Sequence, residues 1–177
     1  MRRILLYDNN DSFTHNLEHL LAACTGADIV VRPYAEAGRP GQADLVVISP
    51  GPGAPGEYPL YGPLLDAGRP VLGICLGMQI INNHFGGRTG RLAGCVHGRA
   101  EHIDFLGQRM AVARYHSLAV TRLGKGLRVT ARNDTGVPMA LQHESLPLLG
   151  YQFHPESFLT KTGARFIEHA LESLGLA

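Results

Sequence analysis

Cys75 stands at the centre of Gly73-Ile74-Cys75-Leu76-Gly77, a Gly-x-Cys-x-Gly pattern between an apolar run and a helix-like one. This is the thiol version of the nucleophile elbow, a tight strand-to-helix turn that lifts its central side chain clear of a sheet. The chain passes close to itself in such a turn, and glycine has no Cβ to clash there. The thiol would sit at the start of a helix, where partial positive charge favours thiolate over thiol. The Leu76 amide would point into the same cleft as an oxyanion donor. Taken alone, the pentapeptide also suits a buried structural cysteine with glycines beside it. Cys24 and Cys95 lack this setting and are expected to pack in the interior or lie on the surface.

A cysteine nucleophile needs a base. The candidate is His154 in Gly150-Tyr151-Gln152-Phe153-His154-Pro155-Glu156-Ser157, at the end of an apolar strand. Proline restricts the residue before it to extended conformations, and in an extended chain positions two apart face the same side. His154 and Glu156 are therefore expected to be neighbours, the carboxylate orienting the imidazole as in a nucleophile–base–carboxylate triad. By itself His-Pro-Glu reads as a surface turn. Its meaning comes from following a buried strand in a chain that also carries a cysteine elbow.

Gly51-Pro52-Gly53 forms a third element, after the apolar run Leu45 to Ile48. Ligands of parallel α/β sheets bind beyond the carboxyl ends of the strands, so residues 51–53, Cys75 and His154 can converge at one edge. A Gly-Pro-Gly segment exposes backbone amides near a ligand and suits a second oxyanion donor; alternatively it is only a turn. It is not a phosphate loop, because no Gly-Lys-Ser/Thr follows.

These residues need a scaffold, and hydrophobic periodicity supplies one. Strands are expected at Arg3 to Tyr7, Asp28 to Arg32, Leu45 to Ile48 and Pro70 to Cys75. Helices fit Phe13 to Ala23, capped by Asp11 or Ser12, then Leu60 to Ala67 and Leu76 to Asn83. Gly38 to Gly41 marks a loop, and Ser49 to Gly56 is too rich in proline and glycine for regular structure. The second half reads as short strands at Ala100 to Asp104, Arg109 to Ala113, Leu127 to Ala131, Pro138 to Gln142 and Leu148 to Phe153. A closing helix runs from Gly163 to Leu174 with Phe166, Ile167, Ala170, Leu171 and Leu174 as its apolar stripe. The order implies a three-layer α/β fold: a mostly parallel sheet flanked by helices, with a smaller antiparallel strand set in the second half.

The 177 residues, 45% of them hydrophobic, suit a single domain spanning 1–177 with a full core. A formal net charge of +1 and the lack of a basic block recommend neither nucleic acid nor an anionic membrane as partner. The apolar stretch after Met1-Arg2-Arg3 is too short for a signal peptide, and no segment approaches the ~20 apolar residues of a membrane span. A soluble, cytoplasmic protein is expected. Three cysteines in no CxxC pattern argue against disulfides and against a cysteine metal site.

Six ordered stretches carry a family resemblance: Asp8-Asn9-Asn10-Asp11-Ser12-Phe13-Thr14, Ser49-Pro50-Gly51-Pro52-Gly53, Gly73-Ile74-Cys75-Leu76-Gly77-Met78-Gln79, His97-Gly98, Arg114-Tyr115-His116-Ser117-Leu118, and Gln152-Phe153-His154-Pro155-Glu156-Ser157. With them the chain resembles the class I, triad-type glutamine amidotransferases over essentially its whole length. Within that family it is most similar to the glutaminase subunits of anthranilate synthase and aminodeoxychorismate synthase. The resemblance implies Cys75 as nucleophile with His154 and Glu156 completing the triad. It implies Gly51, Pro52 and Gly53 as the oxyanion-side loop, with Gln79, Ser117 and Leu118 as further contacts to the glutamine substrate. His116 falls to a loop-orienting role. Met78 stands where many such relatives have histidine, and Asn10 and His15 replace aromatics of the opening motif.

The activity so implied is hydrolysis of L-glutamine to glutamate and ammonia through a Cys75 thioester, with no metal or organic cofactor. The ammonia would pass to a chorismate-using synthase subunit in a heteromeric complex. Two rival readings are a stand-alone cysteine amidase or γ-glutamyl hydrolase, and a catalytically idle regulatory subunit.

Overall fold

The computed structural model describes residues 2–38, 41–91, 98–115 and 117–177. The chain opens β1 (Arg3–Asp8), α1 (Thr14–Thr25), β2 (Asp28–Pro33), β3 (Leu45–Ile48), α2 (Gly62–Asp66), β4 (Val71–Ile74) and α3 (Leu76–His84). It continues with β5 (Arg88–Arg91), β6 (Arg99–Phe105), β7 (Gln108–Arg114), β8 (Leu118–Arg122), β9 (Leu127–Asn133), β10 (Pro138–His143), β11 (Leu148–Tyr151) and α4 (Gly163–Ser173). Among the described residues, nine strands form one sheet in the order β2-β1-β3-β4-β11-β10-β9-β6-β7, and β5 pairs with β8 apart from it. The run from β2 to β11 is parallel, and β11 through β7 pair antiparallel. The expected antiparallel set is therefore mostly a continuation of the main sheet.

The parallel strands are apolar throughout because both faces are covered. Alternate side chains serve opposite layers. Ile4, Leu6, Leu45, Val47, Leu72 and Ile74 join Leu17 and Leu21 of α1 and Phe166, Ile167 and Ala170 of α4. Leu5, Tyr7, Val46, Ile48 and Val71 pack instead on Leu64 and Leu65 of α2 and Met78, Ile80 and Ile81 of α3. Burial of these side chains at ~25 cal/mol per Å² of apolar area is the main force holding the layers together.

Several expectations need correction. The helix expected over Leu60 to Ala67 is a 3-10 turn at Pro59–Tyr61 followed by the short α2, because Pro59 and Pro63 interrupt the backbone bonding a longer helix needs. Within Ser49 to Gly56, Pro55–Glu57 begins one 3-10 turn. Neither Asp11 nor Ser12 caps α1. Its cap position is Phe13, whose own N–H donates to Asp11 Oδ1 at 2.9 Å, while Thr14 Oγ1 donates to Asp8 Oδ1 at 2.7 Å. The strand expected to reach Phe153 ends at Tyr151. Strands β5 and β8 were not foreseen; Arg88-Thr89-Gly90-Arg91 has no apolar alternation to mark it. Residues 39 and 40 of the expected loop, together with Cys95, His97 and His116, lie outside the described residues. No helix among the described residues is long and apolar enough to cross a membrane.

Candidate active site

Strands β3, β4 and β11 are adjacent and parallel, so their carboxyl ends share one rim. Gly51 to Gly53 follow β3, Cys75 follows β4 and His154 follows β11. Three segments far apart in sequence thus meet for a topological reason.

Cys75 has φ 52° and ψ −100°, in the left-handed half of backbone space that a side-chain-bearing residue avoids. Such a residue costs about 1–3 kcal/mol, which the surrounding structure must over-determine. Its N–H donates to Tyr151 O at 2.7 Å and its carbonyl accepts from Gln79 N at 3.2 Å, fixing the turn on both sides. The two glycines are required by contact. A Cβ on Gly73 would overlap the Gly77 carbonyl, and one on Gly77 would lie 2.5 Å from Ile48 O. Cys75 is 8% exposed at the amino end of α3, where first-turn amides have no partner inside their own helix. Cys24 differs: burial, then the nearby Glu168 charge, push its thiol pKa up.

His154 is 3% exposed, and its Nδ1 lies 2.7 Å from Glu156 Oε1. The two residues are neighbours as expected, but not because the chain between them is extended. His154 itself bridges to Ala113 in extended form, whereas Pro155 and Glu156 turn back, with Ser157 N donating to His154 O at 3.3 Å. The carboxylate reaches the ring through a turn, not along a strand. Thr160 braces this turn: its Oγ1 donates to His154 O at 2.7 Å and accepts from Ala113 N at 2.9 Å. Phe13 and Tyr115 hold the ring edge-on, with centroids 5.7 and 5.0 Å from it.

Burial, the largest influence on the His154 pKa, favours the neutral ring. It is outweighed by the charge and hydrogen bonding of Cys75 and then by Glu156, so His154 stays protonated well above the usual 6.5. His154 Nε2 is buried with no partner of strict hydrogen-bond geometry. The sulfur therefore acts on the ring through its charge and a contact looser than a strict hydrogen bond.

A cleft of about 150 Å³ opens beside the sulfur, lined by Asp11, Phe13, Pro50, Gly51, Gly53, Cys75, Leu76, Gln79, Tyr115, Ser117, Leu118 and His154. The sequence-derived residues Gly51, Gly53, Leu76, Gln79, Ser117 and Leu118 are all present. Pro52 is not: it is exposed, and its carbonyl accepts from Tyr58 Oη at 2.9 Å. Glu156 stands behind His154, away from the cleft lining. Gln79 Nε2 donates to Leu118 O at 3.0 Å and Gln152 Oε1 at 3.1 Å. Both its hydrogens are engaged, which leaves Gln79 only its oxygen to offer a ligand.

The loop over β3 rests on Asn9, a residue with no signal of its own in the sequence. Asn9 Nδ2 donates to Ser49 O at 2.9 Å, Asn9 N to Ser49 Oγ at 2.9 Å, and Tyr61 Oη to Asn9 Oδ1 at 2.7 Å. A Cβ on Gly51 would meet Asn9 Cβ at 2.6 Å, so the loop packs on this network at glycine distance. Of the departures from the family pattern, Met78 is buried against Gly150 under the sheet, whereas Asn10 and His15 are exposed.

Sulfur, imidazole and carboxylate in a row, with backbone amides at a helix start, can attack a carbonyl carbon and protonate a leaving amine. Residues 5–174 match the family described as Glutamine amidotransferase class-I. The chain is 38% identical over 191 residues to the anthranilate synthase component 2 of Azospirillum brasilense, covering 96% of this chain and 95% of that protein. It is 38% identical over 177 residues to the component 2 of Archaeoglobus fulgidus, covering 96% and 97%. It is 45% identical over 181 residues to the aminodeoxychorismate synthase of Streptomyces griseus, covering 93% of this chain but 25% of that one. The chain therefore spans about a quarter of the longer relatives it matches. The crystal structure of a candidate GMP synthase protein from Thermoplasma acidophilum shares the fold, with a TM-score of 0.87, 23% identity, and coverage of 99% and 94%.

Proposed function

This chain belongs to the class I glutamine amidotransferase family, and we propose that it is the glutaminase subunit of a chorismate-using synthase, releasing ammonia from L-glutamine through a Cys75 thioester. The observation that carries the reading is the row of Cys75, His154 and Glu156 at the shared rim of β3, β4 and β11, open to the cleft.

The Cys75 thiolate attacks the side-chain amide carbon of glutamine, and a carbon–sulfur bond forms. The carbonyl oxygen takes up the negative charge and is met by the Leu76 amide and the Gly51–Gly53 backbone. Protonated His154 gives its proton to the departing nitrogen, which leaves as ammonia, and a glutamyl thioester remains. The now neutral ring takes a proton from water, the hydroxyl replaces sulfur, and glutamate leaves with the thiolate restored. Glu156 holds the imidazole and balances its charge throughout. These steps draw on no metal or organic cofactor, because the nucleophile, acid, base and oxyanion donors are all protein groups.

Ammonia is mostly protonated at neutral pH and then is no nucleophile, so delivery straight to a second active site is advantageous. Relatives named for anthranilate synthase and for aminodeoxychorismate synthase support chorismate as the acceptor. The test supplies this chain with glutamine labelled with nitrogen-15 in the side-chain amide, and with a separately produced chorismate-using subunit. Label is expected in an aromatic or aminochorismate product. Full-rate glutamine hydrolysis without a partner, and no labelled product with one, would favour a stand-alone amidase.

A further inference from the structure

Gln152 is completely buried two residues before His154, between Tyr151 and Phe153, which are themselves completely buried. A buried amide needs partners, since an unpaired one forfeits its hydrogen bonds to water. Its Oε1 accepts from Gln79 Nε2 at 3.1 Å, and its Nε2 donates to Cys75 Sγ at 3.6 Å, a normal span for the larger sulfur atom. The backbone on each side is pinned: Gln152 N donates to Met139 O at 2.9 Å, and Tyr151 O accepts from Cys75 N at 2.7 Å.

An amide can be turned over, so the direction of these bonds needs an independent anchor. Leu118 O provides it. A backbone carbonyl can only accept, and it takes a hydrogen from Gln79 at 3.0 Å. The group of Gln79 nearest Leu118 must therefore be its NH₂, and that same NH₂ faces Gln152. Gln152 must answer with oxygen, which turns its own NH₂ toward the sulfur. Reversing either amide would set donor against donor or oxygen against oxygen.

We propose that Gln152 is a catalytic residue of this site, donating a side-chain N–H to the Cys75 sulfur and stabilising the thiolate, with the polarity of the donor set by Leu118 O through Gln79. A hydrogen bond to an ionised acceptor is stronger than one to its neutral form, so this donor favours thiolate over thiol. It works beside His154 without consuming the imidazole proton, which stays available for the leaving nitrogen. The proposal rests on the reading of Cys75 as nucleophile.

The test is the pH profile of Cys75 alkylation by iodoacetamide, followed by mass spectrometry of the Cys75 peptide so that Cys24 and Cys95 do not contribute. Losing one charge-assisted donor in Gln152→Met should move the midpoint upward by about one pH unit and slow alkylation about tenfold below it. Gln152→Glu keeps the shape but adds a repelling charge, and should move the midpoint further in the same direction. A folded Gln152→Met protein with the wild-type midpoint overturns the proposal. Should both variants fail to fold, Gln79→Leu serves: it frees the Gln152 amide to rotate, and an unchanged midpoint there is equally fatal. A wild-type Cys75 with no pH-dependent alkylation would sink the nucleophile reading itself; a normal wild-type profile with unmoved variants sinks only the role of Gln152.

Discussion

The backbone N–H of Cys75 donates to the carbonyl of Tyr151 at 2.7 Å, tying the nucleophile turn to the strand that leads into His154. This single bond extends the β4–β11 ladder by one residue beyond Ile74, whose partner in register is Tyr151. Sulfur and imidazole are therefore spaced by sheet geometry, which is stiffer than any loop contact. Changes that disturb the β4–β11 pair should reach the chemistry even when they touch neither side chain.

On the proposed function, replacing Cys75 by serine should abolish glutamine-dependent synthesis with the partner subunit while synthesis from added ammonium survives. Serine keeps the shape but is a far weaker nucleophile without a lowered pKa. Product formation with each nitrogen source is the measurement. Persisting glutaminase activity would remove Cys75 from its role.

His154 should titrate well above 6.5 in the wild-type protein and fall in Cys75→Ser, where burial remains and the influences of the sulfur are gone. Nuclear magnetic resonance of the imidazole reads both values. The sign for stability follows from the same shift. A folded pKa raised above the unfolded one gives a contribution that is complete below pH 6.5 and is lost as pH rises through the folded value.

Gly77→Ala should destabilise by about 3 kcal/mol, the upper end of overpacking costs, because the added methyl meets the Ile48 carbonyl of β3 at 2.5 Å and neither backbone can retreat. Gly56→Ala, with nothing within 4 Å of the new carbon, should change stability by less than about 0.5 kcal/mol. Urea unfolding of the two variants makes the comparison. Equal effects would mean that the elbow tolerates more movement than its contacts allow.

Thr160→Val removes the hydroxyl that bridges Ala113 N and His154 O. The buried Ala113 N–H is left without that acceptor, at a cost of about 1–3 kcal/mol. Because the substrate cleft is untouched, kcat should fall while KM for glutamine stays nearly constant. A change confined to KM would show that Thr160 shapes binding and does not support the base.

Much of this was legible along the chain. Leu45 to Ile48 and the run before Cys75 read as doubly covered strands because nearly every residue is apolar, and both faces are indeed packed. Strands β5 and β8 were invisible because their pairing is non-local and their sequences are polar or short, so no local periodicity announces them. Pro52 was grouped with its glycine neighbours, but its place in the chain does not say which way the loop faces. Gln152 was noticed only inside a matched motif, since nothing about a glutamine between two aromatics states that it will lie buried against sulfur.

The sequence by itself determined the elbow at Cys75, the histidine–carboxylate pair and the alternation of strand and helix, because each depends on spacing within a few residues. Tertiary structure decided what those pieces face. The adjacency of β3, β4 and β11, the turn that swings Glu156 behind His154, and the Leu118–Gln79–Gln152–Cys75 chain lie beyond what local spacing specifies. Contacts of that kind arise from sheet order and from the need of buried polar groups for partners, and neither leaves a local trace in the chain.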